Sequence, residues 1–309
     1  MHCKILFLNL AMPFLILGST KQPKIVGLVA AHNEAPMIQL CLTVLSYYVD
    51  AIVFLDDASD DTTVAKVEAI AKNCKVKKIL KKEKWFRDEP GDKNKLLTAG
   101  RSIGGTHFIF LDADEILSAN CLENNWLRST ILSLAPGEKL VLRLIDLWKS
   151  PYFYRIDHFP YANRILDCAF HDDGMCYYDS EFIHTSHSPQ HRIAGERFIR
   201  DNHVVLHFAF VNWQDVLIKF AWYKCLERVR LPQKSILQIN REYASGTDET
   251  GAVLQAIDGA WVENYGFFDP SVFQSNSSWR IKQIKAWFQE FGKDYFADLH
   301  IWNIDWDSL

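Results

Sequence analysis

An α/β fold, with a mostly parallel sheet flanked by helices and a mainly helical C-terminal region, is what this sequence predicts. Three observations point there. Short apolar runs of strand length alternate with helical patterns over residues 24–111, an acidic or polar loop follows each of three strands, and the pattern turns mainly helical beyond residue 233. Of 309 residues, 49% are hydrophobic and 23% charged, so the chain buries a sizeable core and is neither disordered, collagen-like nor a minimal disulfide scaffold. The net charge of −4 argues against nucleic acid as a partner. Cysteines at 3, 41, 74, 121, 168, 176 and 225 include no C-x-x-C pair and are odd in number, which favours reduced thiols.

Along the chain, Ile5 to Leu17 is an apolar run behind Lys4 and ahead of Gly18, Ser19 and Thr20, the order of a secretory signal. It is short for a membrane span, and it reads as a cleaved signal, an uncleaved tether or an apolar segment packed on the fold. Lys24 to Ala31 is the first strand; His32-Asn33-Glu34 is its loop, and Pro36 opens a helix through Tyr48. Asp50 to Leu55 is the second strand, broken by Asp56 to Asp61 before a helix from Thr63 to Asn73. Val76 to Leu80 is a short strand, Asn94 to Ile103 a helix, and His107 to Leu111 a fourth strand. Loops at the carboxyl ends of parallel strands form the ligand crevice of such sheets, and the acidic loops 32–34, 56–61 and 112–115 all fall there. Farther on, Val141 to Leu147 and 203–211 read as strands, and Asn212 caps a helix through Arg230 with Asp215 placed as in a capping box.

Asp112-Ala113-Asp114-Glu115 carries the strongest chemical signal. In extended chain Asp112 and Asp114 share a face about 6–7 Å apart, so one divalent ion can sit against both. Oxygen donors suit Mg²⁺ or Mn²⁺, which complete their shells with water and substrate phosphate. The bland alternative is an acidic helix cap. Asp57 can accept hydrogen bonds from a nucleobase or ribose, whereas Ser59, Asp60 and Asp61 suit turn and cap chemistry. Seven lysines between Lys72 and Lys84 form a basic patch, read as a solvated face or as a contact for an anionic membrane or acceptor. Asn276-Ser277-Ser278 is a short glycosylation-like triplet of little weight.

His32-Asn33-Glu34, LDDASDDTT at 55–63 and FLDADE at 110–115, in this order and spacing, resemble the family 2 type of glycosyltransferase with the GT-A (Rossmann-like) fold. The resemblance is specific over residues 24 to about 117 and weak past 140. It departs at Ala58, where the family often has Gly, and at Thr98, where it often has Asn. It implies a nucleotide-diphosphate sugar donor, with Glu34 and Asp57 near the nucleoside, Asp112 near the ribose and Asp114 holding Mn²⁺ or Mg²⁺ on the diphosphate; His32 and Ala113 count among the donor-binding residues and Asp112 among the metal ligands as well. Arg87 or Lys93 would meet the phosphates, since both lie in the basic loop before the metal strand. The resemblance also implies a metal-binding histidine on a later strand, for which His207 is preferred over His203, and an acceptor-side base. Asp172, Asp173, Glu181, Glu196 and Asp201 all qualify for that role, with Asp173 and Glu181 favoured.

On this reading residues 1–22 are a signal-like or tether segment, 23–140 the nucleotide-sugar-binding half, 141–230 the acceptor-binding half and 231–309 a helical extension. The expected reaction is a metal-dependent, inverting transfer of one sugar to a glycan or lipid-linked acceptor, as in polysaccharide biosynthesis. Peripheral membrane contact fits the basic patch, and the location is membrane-associated or exported, otherwise cytoplasmic. Processive synthesis is not expected, because Glu242 stands where the Q-x-x-R-W signature needs Trp. The rivals are a nucleotidyltransferase and a catalytically silent sugar- or partner-binding protein of the same fold.

Overall fold

The computed structural model describes residues 22–157, 161–179, 184–199, 201–265, 273 and 275–309. The apolar leader and Glu181 lie outside the described residues. Four strands form the parallel core of a mixed sheet: β1 (Ile25–Ala31), β2 (Ala51–Asp56), β3 (Val76–Lys81) and β4 (His107–Asp112), in the order β3-β2-β1-β4. β1 and β2 are buried almost throughout because helices cover both faces, which is why they read as continuous apolar runs rather than alternating ones. On one face Ile25, Val29, Ile52, Phe54 and Leu111 pack with Leu42 and Leu45 of α1 (Ile38–Tyr48). On the other, Val26, Leu28, Val53, Leu55, Phe108 and Phe110 pack with Leu96 and Leu97 of α3 (Glu89–Ser102). A Cβ on Gly27 would stand 2.7 Å from Leu45, so glycine there lets α1 close on β1.

Beyond β4 the sheet changes direction. β8 (Ile165–His171) runs antiparallel to β4 and to β6 (Glu138–Trp148), and β10 (Val204–Phe210) runs parallel to β6 and antiparallel to the short β5 (Glu115–Leu117). Edge pieces are β7 (Phe153–Arg155), β9 (Gly195–Phe198) and β11 (Leu254–Ala256). The expected α/β class holds. The short strands beyond residue 112 and β8 escape sequence reading because their side chains mix polar and apolar without a period.

Helix α2 (Thr63–Ile70) stops earlier than expected. α3 starts earlier, at Glu89, because Asp88 accepts from the Gly91 N–H at 3.1 Å and Pro90 fits the first turn. α4 (Trp126–Leu132) flanks the sheet. α5 (Trp213–Arg230) is capped by Asn212 as expected, but the Asp215 carboxylate bonds Ser275, Ser277 and the Asn276 N–H instead of closing a box. With α6 (Ile236–Glu242) and α7 (Ser278–Phe291), α5 builds a second apolar cluster around Trp222, Phe288, Phe296 and Trp306. Six cysteines are buried as free thiols. Among the described residues no helix is long and apolar enough to cross a membrane.

The lysine run is woven into the fold. Lys75 donates to the carbonyls of Ser46 and Val49, Lys78 to Ser102, Lys81 to Glu68, and Lys82 to Asp57 and Asp92.

Where β4 meets β8, His107 stacks on His171 with ring centroids 3.9 Å apart. Burial and then the neighbouring imidazole push His107 down to about 4. An unfolded chain takes up this proton near pH 6.5 and the folded chain only near 4, so stability is full above the first value and is lost as pH falls toward the second. The melting temperature should drop across that window, and His107→Asn should flatten the drop.

Candidate active site

The carboxyl ends of β1, β2 and β4 open on one cavity of about 150 Å³. Its lining includes His32, Glu34, Asp57, Arg87, Lys93, Asp112, Ala113 and Asp114, so the three acidic loops converge as the topology requires. Asn33 locks two of these loops together. Its backbone turns left-handed at φ 55, its Oδ1 accepts from the N–H groups of Asp60 and Asp61, and its Nδ2 donates to Asp60. The Ser59 and Thr63 hydroxyls accept from the N–H groups of Asn33 and Glu34. Ser59, Asp60 and Asp61 therefore serve turn and cap, while Asp57 keeps its carboxylate in the cavity beside Lys82 at 2.5 Å. Ala58 also lies left-handed, at φ 56, which explains why the resembled family often has glycine there.

His32 donates a hydrogen bond from Nδ1 to the Asp57 carbonyl at 2.6 Å, and its ring meets Trp279 edge-on at 4.6 Å. Burial lowers its pKa and keeps the ring an uncharged platform. Burial and then the charge of Asp114 push the Glu34 carboxyl up to about 7.

The DADE segment splits into two clusters. Asp112 and Glu115 face His187, whose Nε2 lies 3.8 Å and 3.1 Å from their carboxylate oxygens without a hydrogen bond. Asp114 faces His207, whose Nε2 lies 3.7 Å from Oδ2, and Lys219, whose ammonium lies at 3.5 Å. Donor atoms around one small cation stand about 3 Å or slightly more apart, given bonds of about 2.1 Å, and the cluster of Asp112, Glu115 and His187 fits a hard divalent ion. Asp112, Glu115 and His187 offer three such atoms within 4.8 Å of one another. Asp112 and Asp114, expected to share one ion, each have a histidine beside them.

Asp146 escapes sequence reading. It lies fully buried inside apolar β6, accepts from Arg164 at 2.7 Å and contacts His207 Nδ1 at 2.7 Å. That leaves His207 Nε2 turned to Asp114, the arrangement in which a carboxylate fixes a metal-ligating imidazole. Burial opposes charge on His207, but Asp114 and Asp146 push its pKa up to about 9. Burial also opposes charge on Asp114, yet Lys219 and His207 hold its carboxyl well below the usual range. Were Asp114 and His207 to hold Mn²⁺, Asp146→Asn should weaken that binding about 10- to 100-fold, measured by manganese titration. His203, the alternative, stacks on Trp126 at 3.7 Å and bonds Asp201.

One expectation changes. Asp173 is not in the cavity: β8 runs antiparallel to β4, so the loop after His171 lies beside Thr106, at the end of β4 remote from Asp112. There Asp173 is pulled down to about 2 by the Met175 N–H and by Arg192. Asp172 pairs with Arg101, Glu196 lies near Lys139, and Asp201 pairs with His203. Arg87 and Lys93 line the cavity as expected; Arg87 also donates through Nε and Nη2 to Glu89, and Lys93 to the carbonyls of Thr185 and Ser186. Asn276 lies inward, its amide donating to the Asn33 carbonyl and to Glu34, so the glycosylation-like triplet is part of the wall.

Lys219, Tyr223, Trp279 and Arg280 complete the lining from α5 and α7. A second cavity, with Phe208, Phe273, Asn212 and Asp215, shares Glu34, Asp114, Lys219 and Arg280 with the first.

Solved structures similar to this chain include S. aureus TarS residues 1–349, 21% identical, covering 41% of this chain and 36% of that one at a TM-score of 0.31. Another is the mannosyltransferase PcManGT from Pyrobaculum calidifontis in complex with GDP-Man and Mn²⁺, 14% identical, with 90% and 86% covered and a TM-score of 0.42. A third is glucosyl-3-phosphoglycerate synthase from Mycobacterium tuberculosis with Mn²⁺, UDP and glucosyl-3-phosphoglycerate, 21% identical, with 40% and 44% covered and a TM-score of 0.28. The chain thus spans about a third of the TarS structure. No curated protein matches it. The sequence model described as Glycosyl transferase family 2 matches residues 28–126, the stretch holding all three acidic loops.

Proposed function

We propose that the protein is a metal-dependent, inverting glycosyltransferase that moves one sugar from a nucleotide-diphosphate donor to a glycan or lipid-linked acceptor. The observation that carries this reading is the convergence of the three acidic loops on one cavity, with Asp114 and an Asp146-oriented His207 at its edge. His32, Glu34 and Asp57 receive the nucleoside, and Asp112 and Ala113 the ribose. Asp114 and His207 hold Mn²⁺ or Mg²⁺. With the cation bound, negative charge growing on the departing diphosphate is offset there. Inversion needs a base across from the leaving group, and with Asp173 committed to Arg192 that role falls to Glu181. The second cavity, lined by Phe208 and Phe273, is the acceptor's entrance.

The test is a thermal-shift panel of nucleotide sugars with and without Mn²⁺, followed by transfer assays. A donor at 100 times its Kd stabilises the native state by about 2.7 kcal/mol, which a melting curve resolves. No shift with any nucleotide sugar would sink the proposal. Binding with no turnover on any acceptor would favour the silent rival, and release of pyrophosphate from a nucleoside triphosphate would favour a nucleotidyltransferase.

A further inference from the structure

We infer that Lys219 and Arg280, on two helices beyond the family-matched segment, form the wall that receives the phosphate oxygens of the donor diphosphate; this rests on the donor reading above. Four cationic side chains line the cavity among the described residues: Arg87, Lys93, Lys219 and Arg280. The first two already hydrogen-bond within the protein, Arg87 through Nε and Nη2 to Glu89 and Lys93 to the carbonyls of Thr185 and Ser186. The other two are held only at long range, Lys219 at 3.5 Å from Asp114 and Arg280 at 3.8 Å from Glu34.

Arg280 is 9% exposed, and its Nε has no hydrogen-bond partner. Its guanidinium lies 4.4 Å over the Trp279 ring, and the Trp279 indole N–H is buried and unpartnered as well. Leaving buried donors unmade is costly, and a planar guanidinium with several N–H groups matches phosphate oxygens. Both donors sit in the first turn of α7, a 14-residue helix whose N-terminal dipole adds positive potential. Lys219 completes the wall next to Asp114, so an anion seated here lies beside the proposed cation site.

Calorimetry on the full chain with UDP and GDP, in EDTA and in Mn²⁺, tests this, with uridine and guanosine followed by ligand-detected NMR. Arg280→Gln should weaken diphosphate binding about 10- to 100-fold and leave the nucleosides within about twofold, because a charged hydrogen bond is lost and nothing else. Lys219→Met should act in the same sense, and Arg280→Lys should recover part of the loss. Unchanged UDP and GDP binding in Arg280→Gln overturns the inference alone, as does an equal loss of nucleoside and diphosphate, which would make Arg280 a support of cavity shape. Pyrophosphate binding to the wild type on top of saturating UDP would move the wall to a phosphorylated acceptor and overturn the donor assignment. A wild-type chain that binds neither diphosphate overturns the donor reading and this inference with it.

Discussion

Asp114→Ala should lower sugar transfer about 10²- to 10³-fold in turnover, the loss seen when one preorganised partner of developing charge is removed. Asp114 lines both cavities and holds His207 and Lys219 against the site. Its carboxylate stays ionised at any working pH, because those two cations outweigh the effect of burial. The substitution therefore removes a full negative charge and, on the proposed reading, a metal ligand. The fold should survive. The lost attraction to Lys219 is set against relief of the repulsion that raises Glu34, whose titration should move to lower pH. Transfer assays with Mn²⁺, paired with a melting curve, check both halves. Turnover within a few-fold of wild type would show that Asp114 does not touch the reacting centre.

Trp222→Ala carries the largest expected loss of stability, about 3–5 kcal/mol, as for other buried aromatics cut to a methyl group. Trp222 is 1% exposed, donates to Gln283 at 2.6 Å, and packs its ring against Trp85, Tyr223, Trp279 and Trp287. It joins the helical cluster to the active-site cavity, since Arg87 lies 5.7 Å over its ring. Urea unfolding should show a lower midpoint. Diphosphate affinity should fall too, because Trp279, over whose ring Arg280 sits, loses its Trp222 neighbour. Trp222→Phe should be milder on both counts.

Much of the parallel core was legible in the sequence because its strands are apolar from end to end and stop at acidic loops. The same contrast picked out Asp57, Asp112 and Asp114, all of which line the cavity. His207 was chosen because the resemblance implies a histidine on a later strand and this one lies inside an apolar run, where an imidazole needs a partner. By that rule Asp146 in LRLIDLW was equally visible, since a single carboxylate in such a strand has to be paired, and here it is paired with Arg164 and His207. Asp173 misled because the polar loop that holds it follows an antiparallel strand, and strand direction is not written in composition. Lys219, Trp279 and Arg280 gave no local signal. They occupy ordinary positions on amphipathic helices, and only tertiary packing turns them toward loops far away in the chain.

The Asn276 amide reaches the Asn33 carbonyl across 243 positions of sequence. During synthesis, then, every acidic loop emerges from the ribosome long before the wall that faces it. A nascent polypeptide halted before residue 280 would carry the matched segment but only part of the cavity, so on the proposed reading nucleotide retention should track emergence of α7 rather than of the first half.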